Sequence, residues 1–354
     1  MSFFTAIAAG GLSFGVAAVL TGLARHYAAR RQMIDVPNER SSHETPTPRG
    51  GGIGLVIPAL VTFALVALSS ETMRGPLAVA CGATFAVALV GWIDDVRDLR
   101  AITRFAVQLA AAVAIVVALG DSLQLSIGST VIAIGPARYV LAVGLAVWLA
   151  NLYNFMDGTN GIAGVEALSV GVVGGSILWA YGLTGLAAVA WSLAGAAAGF
   201  LLWNWHPAKI FMGDVGSCFV GLLFAALAFL SAAHEPHLLW PWMILLGVFV
   251  VDATTTLAVR AYRRERLSQA HNQHAYQHAA RRWGHAKVAT VVLAINLLYL
   301  APLAIACALQ PRYSLLWWGV AYAPLVVLCA CLRAGRPDAA ADSTSGAADQ
   351  VPTE

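Results

Sequence analysis

"GATFAVALVGWIDDVRDL", residues 82–99, runs apolar through Ile93 and then places Asp94, Asp95 and Asp98 where the run stops. A membrane-spanning helix needs about 20 apolar residues at roughly 1.5 Å rise each, and a run of this kind supplies them. One acid at such an end marks the water line. Three within five residues point to a charged ligand or a cation.

The rest of the chain has the same texture. Of its 354 residues, 59% are hydrophobic and 11% charged, and the mean hydropathy is +0.73. A soluble globular domain carries roughly 25% charged residues, so the expected class is an all-α polytopic membrane protein. Spans are expected at 3–25, 51–70, 75–93, 103–120, 138–153, 163–182, 184–203, 215–233, 238–258, 288–309 and 313–332, about eleven transmembrane helices in one domain, 1–333. The first apolar run is followed, not preceded, by Arg25, Arg30 and Arg31, which marks a retained helix and not a cleaved signal peptide. With the N-terminus outside, eighteen of the 21 Lys and Arg residues fall on the inner side. Residues 122–135, "SLQLSIGSTVIAIG", alternate around Gly128-Ser129 as a short outer β-hairpin does. The small, polar stretch 334–354 is expected to be a disordered tail. Cys81, Cys218, Cys307, Cys329 and Cys331 form no C-x-x-C pair and read as plain apolar thiols.

The unusual polar clusters all fall on the inner side. A transporter needs polar groups near the bilayer midplane with access from both faces, whereas polarity gathered at one surface favours an enzyme. The first cluster, "DVPNERSSHETPTPRGGGIG" (35–54), offers Arg40, His43 and Arg49 before a glycine run that lets backbone N–H groups approach an anion; a topology-anchoring basic loop is the plainer reading. In the second, a helix would stack Asp94 over Asp98 at i, i+4. Adjacent carboxylates repel unless a cation or a proton relieves them. Mg²⁺ shared with a phosphate does so, and so does a salt-bridged cap using Arg97 and Arg100.

The third, "NLYNFMDGTNGIAG" (151–164), repeats Asn151, Asn154, Asp157 and Asn160 between glycines, and offers oxygen ligands or simply caps a helix turn. The fourth, "NWHPAKIFMGDVGS" (204–217), holds Asn204, Phe211 as a stacking face, and Asp214 as ligand or helix cap. In the last, "RRERLSQAHNQHAYQHAARRWGHAK" (263–287), the spacing puts His271, His274 and His278 on one helix face beside Arg281 and Arg282. A zinc site there lacks the Glu after His274 that a metalloprotease helix needs. An anion-binding loop or a solvated basic helix fits better.

Together these clusters, over residues 25–290, resemble the polyprenyl-phosphate N-acetylhexosamine-1-phosphate transferase family. The likeness rests on the D-D-x-x-D of Asp94, Asp95 and Asp98, on "NFMDG", and on the N-x-x-P-A-x-x-F-M-G-D-x-G-S pattern from Asn204 to Ser217. It implies that a polyprenyl phosphate, undecaprenyl phosphate in bacteria, attacks the β-phosphorus of a UDP-N-acetylaminosugar and releases UMP. By the resemblance Asp214 holds Mg²⁺ (or Mn²⁺ as a substitute), with Asn154 as a second oxygen ligand. Phe211 stacks on uracil with Asn204 close by. Asp94 or Asp95 deprotonates or orients the lipid phosphate, with Asp98 among the substrate-binding residues, and Asp157 binds uridine or orders the metal shell. His271, His274, Arg40, His43 and Arg49 contact phosphates.

The last loop reads "HNQHAYQ" where the lipid I enzyme carries consecutive histidines, which resembles the branch that initiates lipopolysaccharide O-antigen, some members of which use 6-deoxy aminosugars. The implied setting is a multi-pass protein of the bacterial inner membrane with its site facing the cytoplasm, able to form a homodimer and without a nucleic-acid partner.

Overall fold

The computed structural model describes residues 2–37, 45–267, 269 and 271–337. Its helices are α1 (Phe3–Arg30), α2 (Ile53–Ser69), α3 (Arg74–Arg97), α4 (Ala101–Leu119), α5 (Ala137–Met156), α6 (Ile162–Ala180) and α7 (Thr184–Asn204). They continue with α8 (Asp214–His234), α9 (Leu239–Leu245), α10 (Gly247–Tyr262), α11 (Ala275–Trp283), α12 (His285–Ile295), α13 (Ala301–Leu309) and α14 (Ser314–Cys331). Among the described residues, nine helical segments are long and apolar enough to span a bilayer, α12 to α13 counting as one. The bent pair α9–α10 makes a tenth if it counts as one span, while α2, with 17 residues, is shorter than the span expected at 51–70.

The span expected at 238–258 is not one straight helix. It breaks at Leu246, and its halves diverge by 75°. The backbone keeps partners across the break: Leu246 N–H donates to Trp242 O (3.0 Å) and Val250 N–H to Leu246 O (2.9 Å). A bend inside an apolar medium is tolerated on that condition.

A helix that is apolar all round belongs inside a bundle, and α8 is that helix. Every residue from Val215 to Ala232 is buried. Phe219, Phe224 and Phe229 fill the space between α8 and its neighbours, and the Tyr153 ring of α5 lies 6.2 Å from Phe224 and 5.0 Å from Phe249. The α1–α7 seam is built differently. Gly195 and Gly199, four apart on α7, face the α1 backbone at Gly10 and Phe14 so closely that a β-carbon at either would clash with a carbonyl oxygen. Small residues at this spacing let helix backbones touch in lipid.

The hairpin expected within 122–135 forms. β3 (Ser126–Ile127) and β4 (Thr130–Val131) pair antiparallel across Gly128-Ser129. Trp240 Nε1 donates to Ser126 O (2.8 Å) and Gly128 N–H to Ser314 Oγ (3.1 Å). A second hairpin, β1 (Ile34–Asp35) with β2 (Thr47–Pro48), lies at the other end of the bundle. The start of the expected tail is not loose: Ala334 is buried and Gly335 N–H donates to Gln273 O (2.8 Å). Residues 338–354 lie outside the described residues. The described parts of the segments after α1, α3, α5, α7 and α10 meet at one end, where Asp35, Arg49, Asp157, Phe211 and Gln277 line one cavity and Asp98 pairs with Arg49.

Candidate active site

The three acids that end α3 go to three different partners. Asp95 is buried, and its carboxylate accepts hydrogen bonds from Asp214 N–H (3.1 Å) and Val215 N–H (3.2 Å). It therefore caps α8 from a neighbouring helix, where the helix dipole favours a negative charge. The close approach works because residue 213 is glycine (φ +74°); a β-carbon there would run into the Asp95 carboxylate.

Asp94 accepts from Leu99 N–H (2.7 Å) and from Arg104 Nη1 (2.8 Å). Asp98 does not stack over Asp94 as expected. It takes a left-handed conformation (φ +46°) that ends α3, and its exposed carboxylate meets Arg49 Nη2 at 2.6 Å. The relieving cations are thus Arg104 and Arg49, not Arg97 and Arg100.

With Asp95 as the cap, Asp214 is free of that task. Its Oδ1 accepts from Asn154 Nδ2 (2.8 Å), and its Oδ2 meets Arg104 Nη1. Asn154 Nδ2 also donates to Ser217 Oγ (2.9 Å). Arg104 joins Asp94 to Asp214, so α3, α4, α5 and α8 meet at one charge cluster. The sequence reading counted Arg104 only toward topology. Its signal was a cation one turn inside an apolar helix, "AITRFAVQ", where a charge is expensive unless it has a use.

A cavity of about 280 Å³ opens beside this cluster, lined by Asp35, Arg49, Asp95, Asn154, Asp157 and Asp214 among others. Asp157 follows the last residue of α5, and no donor bonds its carboxylate among the described residues. Burial, and then the charges of Asp214 and Asp95, push its carboxyl well above the usual carboxylate range.

Phe211 and Asn160 line this cavity and also an adjoining one of about 510 Å³ that contains His206, Arg281 and His285. Asn160 Nδ2 donates to His206 Nδ1 (3.0 Å) and Asn160 N–H to His285 Nδ1 (3.3 Å). Asn204 lines the smaller cavity too, but its amide is spent on backbone: Oδ1 accepts from Gly161 N–H (2.9 Å) and Nδ2 donates to Ile210 O (2.9 Å). It ties the 205–213 loop to the start of α6 from the wall of the smaller cavity.

The histidine loop departs from expectation. The helix begins at Ala275, so His271 precedes it and His274 is its N-cap; the three histidines share no helix face. His274 is buried and donates from Nδ1 to Asp252 Oδ1 (3.3 Å) on α10. Asp252 also accepts from Ala275 N–H (2.9 Å), Tyr276 N–H (2.9 Å) and Thr256 Oγ1 (3.0 Å). His271 stacks on His274 at 4.9 Å, and neither lines the cavity. From this segment Gln277 is what reaches the cavity, while Tyr276 donates to Phe155 O (2.9 Å) and so docks α11 on the end of α5. Arg40 and His43 lie outside the described residues.

The donor set fits a small hard cation. Asp157, Asp214 and Asp95 face one space with like charges that repel one another. No group of three or more His, Cys, Asp or Glu side chains forms a ready-made cage among the described residues. Mg²⁺ does not need one: it takes one or two carboxylates and completes its shell with phosphate oxygens and water. Each Asp214 oxygen accepts one bond and keeps a second lone pair.

The family model for glycosyl transferase family 4 matches residues 77–232. The decaprenyl-phosphate N-acetylglucosaminephosphotransferase of Mycolicibacterium smegmatis is 33% identical over 67% of this chain, which spans 65% of that protein's length. The enzyme of the same name from Mycobacterium leprae is 30% identical, over 77% of this chain and 76% of its own length. The phospho-N-acetylmuramoyl-pentapeptide-transferase of Symbiobacterium thermophilum is 30% identical, over 70% and 77%. The chain belongs to glycosyl transferase family 4.

Proposed function

We propose that this member of glycosyl transferase family 4 transfers an N-acetylaminosugar 1-phosphate from a UDP-sugar to a polyprenyl phosphate. The observation that carries the reading is the meeting of Asp95, Asp157 and Asp214 from three separate helix ends around one cavity, with Asp94 joined to Asp214 behind it through Arg104. An oxygen of the lipid phosphate bonds to the β-phosphorus of the nucleotide as the bond from that phosphorus to the UMP oxygen breaks. Bound Mg²⁺, for which Mn²⁺ can substitute, would neutralise the phosphate oxygens and align them.

Asp214 and Asp157 are the residues that would hold the ion, with the Asn154 carbonyl oxygen at hand. Asp95 keeps α8, and hence Asp214, in place. Asp94, tethered by Arg104, is the carboxylate left to orient or deprotonate the lipid phosphate. Arg104 and Arg49 can exchange their carboxylate partners for phosphate oxygens. Such reactions depend on positioning and on neutralising charge more than on covalent chemistry by the protein. Phe211, which lines both cavities, would offer uracil a stacking face, and the larger cavity has room for a nucleoside. The "HNQHAYQ" loop supports a place in the O-antigen-initiating branch, some members of which use 6-deoxy aminosugars, and the Lys and Arg distribution supports a site on the cytoplasmic face of the inner membrane.

The test uses the full chain in nanodiscs with undecaprenyl phosphate, Mg²⁺ and a panel of UDP-GlcNAc, UDP-N-acetylfucosamine and UDP-N-acetylquinovosamine. UMP release with a lipid product of the matching mass is expected. A panel that yields no UMP, from a preparation that instead moves lipid-linked sugar across vesicles, overturns the enzyme reading in favour of a transporter.

A further inference from the structure

Glu166 sits on the second turn of α6 with none of its surface exposed, deep among apolar helices. Asn296 Nδ2 donates to Glu166 Oε2 (2.6 Å) and to Ser169 Oγ (2.8 Å), which uses both of its hydrogens. The other oxygens of this pair, Glu166 Oε1 and Asn296 Oδ1, are both buried and have no hydrogen-bond partner. No Lys or Arg pairs with Glu166 among the described residues. An ionised carboxylate here would be an unpaired charge in hydrocarbon beside a second orphaned acceptor, and burial of that kind is strongly unfavourable. One proton on Glu166 removes the charge and supplies the donor the pair lacks.

The pair also stands where α12 changes form. Residues Asn296–Leu300 make a π-turn, closed by Ala301 N–H to Asn296 O, a feature that tends to mark functional positions. At its other end α12 begins with His285, whose Nδ1 accepts the Asn160 N–H of the site loop. That loop, 157–161, runs straight into α6. Thus α6 and α12 are joined twice: at the loop, and about 16 Å along α12 at Asn296 by the rise of eleven helical residues.

We propose that Glu166 is a neutral carboxylic acid forming a two-point pair with the Asn296 carboxamide, and that this pair fixes the register of α12 on α6 so that His285 meets Asn160 at the edge of the site. Glu166 and Asn296 are then positioning residues. The activity arm of the test rests on the proposed transferase reading; the spectroscopic arm does not.

Infrared difference spectra of the full chain in nanodiscs at pH 7 compare wild type with Glu166→Gln. The wild type is expected to show a protonated-carboxyl carbonyl stretch that the variant lacks. Gln keeps both points of the pair, so Glu166→Gln should retain the wild-type melting temperature and donor KM. Glu166→Ala and Asn296→Leu each remove the pair and should raise the donor KM about tenfold with kcat within about twofold, the scale of one buried interaction. Absence of the carboxyl band, or a Glu166→Gln protein that unfolds or loses donor binding, overturns the neutral pair. An unchanged KM in Asn296→Leu overturns the positioning role. A protein without transferase activity leaves the spectrum to decide the pair and refutes the function reading separately.

Discussion

At the end of the bundle away from the carboxylates, Ser69, Ser70, Thr184 and His234 line a cavity of about 350 Å³ among α2, α7 and α8. It is larger than the 280 Å³ cavity at the other end, yet His234 is its one ionisable lining residue among those described. The smaller cavity gathers Asp35, Asp95, Asp157 and Asp214 against Arg49. Volume does not separate a site from a packing gap. An excess of one charge does, because like charges held together in low dielectric lower stability until a ligand relieves them.

The contrast can be broken most severely by removing the cation. Chelation with EDTA should abolish UMP release and added Mg²⁺ should restore it; turnover that persists in EDTA means the acids serve some other purpose. Next in size, Asp214→Asn and Asp157→Asn should each lower turnover at least about 100-fold, the scale of a lost charged catalytic group. Asp157→Asn should do so without lowering the melting temperature, since no donor loses a partner. A fall in both would recast Asp157 as structural.

Asp95→Ala sharpens the distinction within the acidic end. Loss of a helix cap costs about 0.5–2 kcal/mol, so this variant should lose stability as well as turnover, and calorimetry at constant lipid checks it.

A smaller effect is expected with pH. Burial, then the charges of His274 and Arg260, push the His271 imidazole down from 6.5 to about 4. Between those values the unfolded chain binds a proton that the fold does not, so stability is full above pH 6.5 and falls as pH drops toward 4. His271→Gln should narrow the gap in melting temperature between pH 7 and pH 5; an unchanged gap places the acid sensitivity elsewhere. Thr184→Ala in the far cavity should alter neither turnover nor stability beyond about 0.5 kcal/mol, and a loss of UMP release there would dissolve the contrast between the two ends.

Local patterns were legible in the sequence and long-range partners were not. Apolar run length marked the spans, and Gly128-Ser129 marked the outer turn, because both depend on residues close in the chain. The break at Leu246 lies inside a continuous apolar stretch; Pro241 and Gly247 stand near it, but apolar run length alone does not say whether the chain bends there. Helical periodicity put His271, His274 and His278 on one face, but Asp252 from α10 captures the N–H groups of Ala275 and Tyr276 and sets the helix start there. The clustering of Asp94, Asp95 and Asp98 was visible. Their separate partners, Arg104, the start of α8 and Arg49, come from elsewhere in the chain, and only the fold brings them close.

The enclosure of α8 has a consequence for biogenesis. It is made after α1–α7, and Asp214 and the buried rings of Phe219, Phe224 and Phe229 arrive with it. A chain halted after α7 lacks both the buried middle of the bundle and an acid of the site, so its first seven segments are expected to give no turnover.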